Sequence, residues 1–210
     1  MPDHYFSETP NSAHRPRTFV DSILGQTLTF HTDAGVFSRD GIDTGSRILM
    51  EASAPFSGRV LDMGAGWGAV GVSVAKAFPE THVVMAEINS RAIELIHANL
   101  RENGVANAET VSTDGYANVA GQYDVILTNP PIRAGKAVIY RMFADARGHL
   151  APGGRMDIVI RKQQGAPSAV KYLKTLYAGV DVIEKQAGFW IIRCGEPLAS
   201  DCPPAETARR

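Results

Sequence analysis

From residue 59 onward the chain alternates short apolar runs with stretches of helical spacing, and this alternation limits the possible folds more than any other feature. Apolar runs of this length are typical of strands buried in a parallel sheet. We predict such strands at 59–63, 82–87, 109–113, 123–129 and 155–160. Helical spacing in the intervals predicts helices at 70–78, 90–103, 137–150 and 167–177.

Two later apolar runs, 180–184 and 189–194, are separated by only four residues. A parallel crossover needs about a dozen or more residues, so these runs predict an antiparallel pair. The predicted fold is therefore α/β, a doubly wound, mostly parallel seven-stranded sheet that ends in an antiparallel hairpin, as in Rossmann-like proteins. Before the sheet, 18–24 and 27–32 flank Gly25-Gln26 and predict an N-terminal β-hairpin, and Asp43 is predicted to cap the helix that follows.

The composition is that of an ordinary globular protein. Hydrophobic residues make up 44% and the net charge is −1, so the chain lacks the basic excess of a dedicated duplex-binding protein. Three local groups of basic residues could still contact phosphates: Arg15 and Arg17, Arg133 with Lys136 and Arg141, and Arg161-Lys162. Each group could equally be a set of scattered, solvated surface charges.

The sequence carries no disulfide framework and no membrane signal. Its two cysteines, Cys194 and Cys202, form no CxxC pair, and the first residues contain no apolar core of the kind that a signal peptide needs. No apolar run reaches the length of a membrane span. We therefore expect a cytoplasmic protein without a membrane partner, and no spacing of His or Cys predicts a metal site.

The stretch LDMGAGWGAVG at 61–71 sets an acid and four glycines at the end of the first predicted strand of the repeat. It fits the dinucleotide fingerprint G-x-G-x-x-G, a weak match by itself, and it also suits a nucleoside ligand without phosphate. Asp62 separates these ligands, because a carboxylate about 4 Å from a phosphate would cost about 4 kcal/mol at an effective dielectric of 20. The same carboxylate would attract a cationic ligand such as S-adenosylmethionine. A dinucleotide oxidoreductase is therefore disfavoured.

Two more acids follow the next two predicted strands. Glu87 comes 19 residues after Gly68, where a carboxylate that binds ribose hydroxyls is expected in either class of ligand site. Asp114 could accept a hydrogen bond from an adenine amino group. Each acid alone could equally be a solvated strand end or a helix cap, but three acids beside one glycine loop favour a ligand site.

Asn129-Pro130-Pro131 follows the fourth predicted strand and forms a rigid element, since the two prolines fix φ and lack N–H groups. The Asn129 side chain and the neighbouring carbonyls are then free acceptors. Such acceptors can bind both hydrogens of a planar –NH2 group and aim its nitrogen at an electrophile. A strand end stopped by prolines is the structural alternative.

Together these motifs resemble the class I S-adenosylmethionine-dependent methyltransferases, in the branch that methylates exocyclic amines. VLDMGAGWG, the acid of MAEIN, Asp114 and TNPPIRAGK occur in the order of that family. With HYFSETPNS, GVFSRDGIDTGSRIL and KQQGAPSAVKYL added, residues 4–194 resemble small relatives of the ribosomal small-subunit RNA guanine-N2 methyltransferases.

The resemblance implies roles for individual residues. The catalytic group would be Asn129, Pro130 and Pro131, and the substrate would contact Ile132, Arg133 and Lys136. S-adenosylmethionine, leaving as S-adenosylhomocysteine, would be bound by Asp62, Gly64, Gly66, Gly68, Glu87, Ile88 and Asp114, with Phe37, Asp43 and Ser46 as a cover or lid. We predict a single domain that consists of an N-terminal arm, hairpin and lid helix over 1–53, the catalytic core over 54–194, and a flexible tail over 195–210.

Two features depart from that branch. Base methyltransferases often carry an aromatic residue directly after Asn-Pro-Pro, where this chain has Ile132, so either another ring such as Phe37 or Tyr116 replaces it or an apolar contact suffices. The better-known guanine-N2 enzymes also carry an additional N-terminal domain, for which we find no room in this sequence.

The expected reaction is methylation of an exocyclic amine, with guanine N2 in ribosomal RNA as the leading substrate and RNA as the partner. Adenine in DNA or RNA and a protein glutamine amide present the same –NH2 group and stay open. A non-catalytic module that binds the cofactor or RNA is the alternative from another class. His97 and His149 lie on predicted helices and are not expected to be catalytic.

Overall fold

The computed structural model describes residues 12–198 as one large sheet with helices on both faces and a separate β-hairpin. The hairpin comprises β1 (Arg17–Ile23) and β2 (Gln26–Thr32). The strands of the large sheet are β3 (Arg59–Met63), β4 (His82–Glu87), β5 (Ala108–Ser112), β6 (Tyr123–Thr128), β7 (Leu150–Arg161), β8 (Tyr177–Gln186) and β9 (Phe189–Pro197). The helices are α1 (Thr44–Ser53), α2 (Ala69–Ala77), α3 (Ser90–Glu102), α4 (Lys136–Asp145) and α5 (Ala166–Leu173).

The predicted fold class is confirmed. The large sheet has seven strands in the order β5-β4-β3-β6-β7-β9-β8, and β9 is antiparallel to both of its neighbours while the other pairs are parallel. The strand order reverses between β3 and β6, so the glycine loop after β3 and Asn-Pro-Pro after β6 leave the sheet side by side. Ligands bind at this position in open α/β sheets.

The core lies on both faces of the sheet, because consecutive strand residues point to opposite sides. Val60 and Val83 belong to one apolar cluster, which also takes in α1, α2, α3 and the hairpin. Their neighbours Leu61 and Val84 belong to the second cluster, together with α4 and α5. This double burial explains why β3 and β4 carry nearly continuous apolar runs.

Several predicted boundaries are wrong by a few residues. The first hairpin turns at Leu24-Gly25, not at Gly25-Gln26, because both turn residues take positive φ, 51° and 73°, as a two-residue turn of the I′ type requires. The second hairpin turns at Ala187-Gly188, also with positive φ at both residues, so its connection has two residues and not four. Strand β5 begins and ends one residue earlier than predicted.

The largest errors concern the segment between α4 and β7 and the end of the chain. Helix α4 ends at Asp145 and is followed by a 3₁₀ turn, Ala146–His149, whereas we predict helix to residue 150. Helix α5 ends at Leu173 because Tyr177 already starts β8. Strand β9 continues to Pro197, three residues into the predicted tail. Residues 1–11 and 199–210 lie outside the described part, and with them most of the predicted arm and tail, Cys202 and most of HYFSETPNS.

Candidate active site

A cavity of about 1300 Å³ opens at the carboxyl ends of β3, β4 and β6. Its wall joins three parts of the chain that are far apart in sequence. The segment before α1 and the first turn of that helix contribute Phe37, Asp43 and Ser46. The end of β3 and the glycine loop contribute Asp62, Gly64 and Gly66, and the other strand ends contribute Glu87, Ile88, Asp114 and Asn129-Pro130-Pro131. The structure therefore brings nearly all of the predicted site residues to one cavity.

Gly64 and Gly66 have the geometry of a loop that a ligand can approach. Their φ angles are +75° and +56°, and a Cβ atom added at either position would meet nothing within 4 Å. The backbone N–H groups of Gly64 and Ala65 donate to the carbonyl of Ala86, which fixes the loop against β4. The two glycines are thus required by the backbone conformation, and each faces open space.

Gly68 has a different position from the one that we predict. It does not line the cavity; it caps α2 with φ +90°, and an added Cβ would lie 3.0 Å from Val72 and 3.2 Å from Ile96. Gly71 is packed still more tightly, since its Cβ would lie 2.3 Å from Met85 Cγ. The later glycines of the fingerprint therefore allow α2 to pack closely on the sheet and α3.

Asp62 lies at the base of the cavity and is 3% exposed. Its Oδ2 accepts a hydrogen bond of 2.8 Å from the N–H of Gly71 at the start of α2. Burial raises the pKa of the Asp62 carboxyl from 3.8 to about 7, against the lowering effect of the Gly71 hydrogen bond, and the charge of Glu87 raises it further. A bound cation would favour the charged form.

Glu87, at the end of β4, accepts hydrogen bonds from the glycine loop and from the two residues that follow it. Oε2 accepts from the N–H of Gly66 at 2.7 Å, and Oε1 accepts from Ile88 and Asn89 at 2.8 and 2.9 Å. Burial raises the pKa of this carboxyl although all three N–H groups act in the opposite direction. Asp114, two residues beyond β5, is exposed and, like Ile88, belongs to the cavity wall.

Phe37 lies in the segment that covers one side of the cavity, with 41% of its surface exposed. The indole Nε1 of Trp67 donates to the Phe37 carbonyl at 2.9 Å. The Trp67 ring is buried and packs edge-on against Phe19 and Phe30 of the hairpin. Trp67 therefore connects the glycine loop to the covering segment, a role that the sequence did not disclose.

Asn129 is the polar group of the Asn-Pro-Pro element, and its amide is in contact with α1. Nδ2 lies 3.0 Å from Ser46 Oγ and 3.3 Å from each carboxylate oxygen of Asp43. Pro130 is buried, and Pro131 is half-buried at the start of a 3₁₀ turn, Ile132–Ala134. Asp43 and Ser46, which we predict as a cofactor lid, thus also touch the predicted catalytic asparagine.

The predicted substrate residues divide into two groups. Ile132 and Arg133 line the cavity, whereas Lys136 is not part of its wall and instead lies with Nζ 4.9 Å from the centre of the Tyr140 ring. Arg161, Gln164 and Phe189 also line the cavity, and sequence reasoning missed Gln164 and Phe189. The Arg161 guanidinium lies 4.5 Å from the centre of the Phe189 ring.

The two histidines set aside at the sequence level have defined contacts. His97 is within hydrogen-bond distance of Thr110 on the outside of α3. His149 lines the cavity and stacks on Tyr116 with 4.8 Å between ring centres. Within residues 12–198 no group of three His, Cys, Asp or Glu side chains could hold a metal ion. None of the helices in this range is long and apolar enough to cross a membrane.

Comparison with known proteins decides the family. The sequence profile described as "Methyltransferase small domain" matches residues 27–193, most of the chain. The chain belongs to this methyltransferase family. YbxB of Bacillus subtilis is 39% identical to the methyltransferase over 197 residues, which are 92% of this chain and 98% of YbxB.

Other relatives of the methyltransferase are longer proteins. Ribosomal RNA small subunit methyltransferase C of Pasteurella multocida is 34% identical over 68% of this chain, which spans only 44% of that enzyme. The solved 16S rRNA N2 methyltransferase (RsmC) of T. thermophilus, in complex with AdoMet and guanosine, superimposes with a TM-score of 0.77 at 26% identity. This alignment covers 89% of the methyltransferase and 52% of the solved chain.

S-adenosylmethionine is the cofactor of the methyltransferase, as the family and the T. thermophilus complex indicate. The cavity fits this molecule, because Gly64 and Gly66 leave open space at the loop and Asp62 offers a buried carboxyl that would attract a cationic group of the ligand. Glu87 and Asp114 are the acids available to a nucleoside. When bound, this cofactor supplies an electrophilic methyl group.

Proposed function

We propose that this methyltransferase methylates the exocyclic amine of a nucleobase, and that guanine N2 in ribosomal RNA is the substrate. The proposal is supported by the relatives named ribosomal RNA small subunit methyltransferase C and by the T. thermophilus enzyme solved with guanosine. Because the chain spans about half of those proteins or less, its substrate is inferred from the shared part alone. A ribosomal RNA substrate would also agree with a cytoplasmic enzyme.

The observation that carries the proposal is the position of Asn129-Pro130-Pro131 in the same cavity as the glycine loop. The Asn129 amide oxygen and the proline-flanked carbonyls are acceptors on rigid backbone, so they can hold both hydrogens of a planar –NH2 group. Held in this way, the amine nitrogen forms the new N–C bond as the S–C bond of the sulfonium breaks, S-adenosylhomocysteine leaves, and one amine proton passes to water.

The remaining residues then take roles as follows. Asp62, Gly64 and Gly66 would bind the methionine end of the cofactor, Glu87 and Ile88 its ribose, and Asp114 its adenine. Ile132, Arg133 and Arg161 would contact the target nucleotide from the far side of the Asn-Pro-Pro element. Phe37 is a better replacement for the missing stacking ring than Tyr116, because Phe37 is 41% exposed and Tyr116 only 8%. Stacking on a base contributes about 1–3 kcal/mol.

The direct test is incubation of the protein with labelled S-adenosylmethionine and separate fractions of RNA, DNA and protein. We expect label in ribosomal RNA, and we expect nucleoside mass mapping to identify it as N2-methylguanosine. Asn129→Ala should leave the affinity for S-adenosylhomocysteine nearly unchanged and reduce turnover severely. Label confined to DNA or protein would overturn the nucleobase assignment in RNA, and full activity of the variant would overturn the role of Asn129.

A further inference from the structure

The amide nitrogen of Asn129 is held by the N-terminal end of α1. Asn129 follows β6, whereas Asp43 is the N-cap of α1 and Ser46 lies in its first turn. All three measured contacts involve the amide nitrogen, at 3.0 Å from Ser46 Oγ and 3.3 Å from both Asp43 oxygens. Helix α1 thus contributes an acceptor cluster directed at a single –NH2 group.

The chemistry of these partners selects one orientation of the amide. An ionised carboxylate only accepts hydrogen bonds, and an amide nitrogen only donates them. Rotation of the Asn129 amide by half a turn would bring its oxygen against the Asp43 carboxylate. The N–H hydrogen bonds to Asp43 and Ser46 would then be lost. This orientation leaves Oδ1 available to accept a hydrogen bond in the cavity, whose wall includes Asn129.

Asp43 is itself held in place by the backbone that it caps. Its Oδ1 accepts from the N–H groups of Gly45 and Ser46 at 3.0 and 3.2 Å. Gly45 lies so close to β9 that an added Cβ would stand 2.8 Å from the Phe189 ring. The carboxylate therefore belongs to a helix start that is packed against the sheet, and it can serve as a fixed reference for Asn129.

We propose that Asp43 and Ser46 are positioning residues that keep Asn129 Oδ1 directed at the substrate amine. The proposal rests on the amine-methylating function proposed above. A rotated Asn129 would present N–H donors to the N–H donors of the amine, and the nitrogen would lose its aim at the methyl group. Misplacement of this kind can cost on the order of 100-fold in rate.

Asp43→Asn is the decisive substitution, because asparagine caps helices as well as aspartate does. The variant keeps an oxygen for the cap but presents its own –NH2 group to Asn129, which favours the rotated amide. We expect kcat to fall by up to about 100-fold, with thermal stability and affinity for S-adenosylhomocysteine preserved. Ser46→Ala removes one acceptor and should give a smaller loss.

A double-mutant cycle separates positioning from a merely structural role. In an Asn129→Ala background, Asp43→Asn should cause no further loss of kcat, because the group through which it acts is gone. Asp21→Asn is the matched control: it removes a carboxylate that pairs with Arg47 of the same helix, at 2.7 Å, and should retain wild-type turnover. Additive losses in the cycle would overturn the proposal.

A second readout needs no substrate. In ¹⁵N-labelled protein, the side-chain amide protons of Asn129 should exchange slowly with solvent, and Asp43→Asn should accelerate that exchange. Unchanged exchange in Asp43→Asn would overturn the positioning role. Weaker S-adenosylhomocysteine binding with an unchanged kcat would also overturn it, and would favour a role of Asp43 as a cofactor lid. Labelling of protein or DNA by the wild type would instead overturn the proposed substrate, while the amide measurement would still report on Asn129.

Discussion

At the scale of single residues, Asp62 shows how burial changes the meaning of a motif. The sequence argument treats it as a full negative charge that repels phosphate, yet burial raises its pKa to about 7. The folded protein therefore holds this carboxyl partly protonated near neutral pH, with a hydrogen bond from Gly71 on one side. Discrimination in favour of a cationic ligand then depends on pH.

We predict that affinity for S-adenosylhomocysteine rises as pH increases through about 7. Its amino group favours the Asp62 carboxylate, so binding releases a proton below that pH. The contribution of Asp62 to the free energy of unfolding changes with pH in the opposite direction. Because the pKa of Asp62 is higher in the folded than in the unfolded state, this contribution is fully present below pH 4 and is lost as pH rises through 7. Calorimetric titration across this range should show the change.

The control for this prediction is Asp62→Asn, which can still accept from the Gly71 N–H group. Ionisation of the ligand affects its binding to wild type and variant in the same way. The difference between the two profiles of affinity against pH therefore reports on Asp62. Parallel profiles for wild type and variant would contradict a titrating Asp62.

Gly71 carries a second prediction at this scale. Gly71→Ala would bring Cβ to 2.3 Å from Met85 Cγ, and Met85 is fully buried, so we expect a loss of about 1–3 kcal/mol in urea unfolding. In combination with Met85→Ala, the total loss should be smaller than the sum of the two single losses, because the atom that clashes is then absent. Gly148→Ala, whose Cβ would meet nothing within 4 Å, is the matched control. Strict additivity of Gly71→Ala and Met85→Ala would contradict the packing role.

At the scale of elements, the hairpin is attached to the core by two asparagines, Asn99 in α3 and Asn103 at its C-cap. Strand β2 pairs only with β1, so its other edge needs partners. Asn99 accepts from the His31 N–H at 2.7 Å and donates to the His31 carbonyl, and Asn103 does the same at Thr29. Two amides one helical turn apart thereby satisfy alternate residues of a strand edge.

We predict that Asn99→Ala accelerates hydrogen exchange at the His31 amide and costs about 1–3 kcal/mol, because it leaves buried backbone groups without partners. Asn99 also donates to the Trp67 carbonyl at 2.8 Å, so the change should extend to the glycine loop. Asn118→Ala removes an exposed amide that bonds Ser112, and it should leave the His31 exchange rate unchanged. Equal exchange in Asn99→Ala and wild type would contradict this attachment.

Element boundaries were predictable where burial is complete and not where turn chemistry decides. The limits of β3 and β4 follow from short, mostly apolar runs and match the structure residue for residue. The start of β7 was missed because it includes Pro152 and two glycines, residues that argue against a strand, yet Leu150 pairs with Tyr123 before the register shifts. No local pattern reveals such a pairing.

At the scale of the whole molecule, one cavity depends on three segments that only the fold brings together. The mostly parallel sheet and a ligand site at the ends of its strands were predictable, because parallel strands end at the same edge. The contacts of Asn129 with Asp43 were not, since 86 residues separate them and only the docking of α1 determines their distance. Phe189 and Gln164 also reach the cavity only through the fold, since β9 and the turn after β7 bring them there.

A ligand that bridges these segments should stabilise the whole chain. At 100 times its dissociation constant, S-adenosylhomocysteine should contribute about 2.7 kcal/mol, which for a chain of this size corresponds to a rise in Tm of about 5–10 °C. Differential scanning fluorimetry measures the shift, with NADH at the same concentration as the control. A larger shift with NADH would contradict the ligand preference argued from Asp62.

Trp67 gives the molecule an intrinsic optical reporter. The chain has two tryptophans, so Trp190→Phe leaves Trp67 as the sole long-wavelength emitter. Its indole is 2% exposed and bonded to the Phe37 carbonyl, and the wavelength of its emission depends on both properties. Displacement of the covering segment would therefore be visible as a spectral change in solution, without any attached dye.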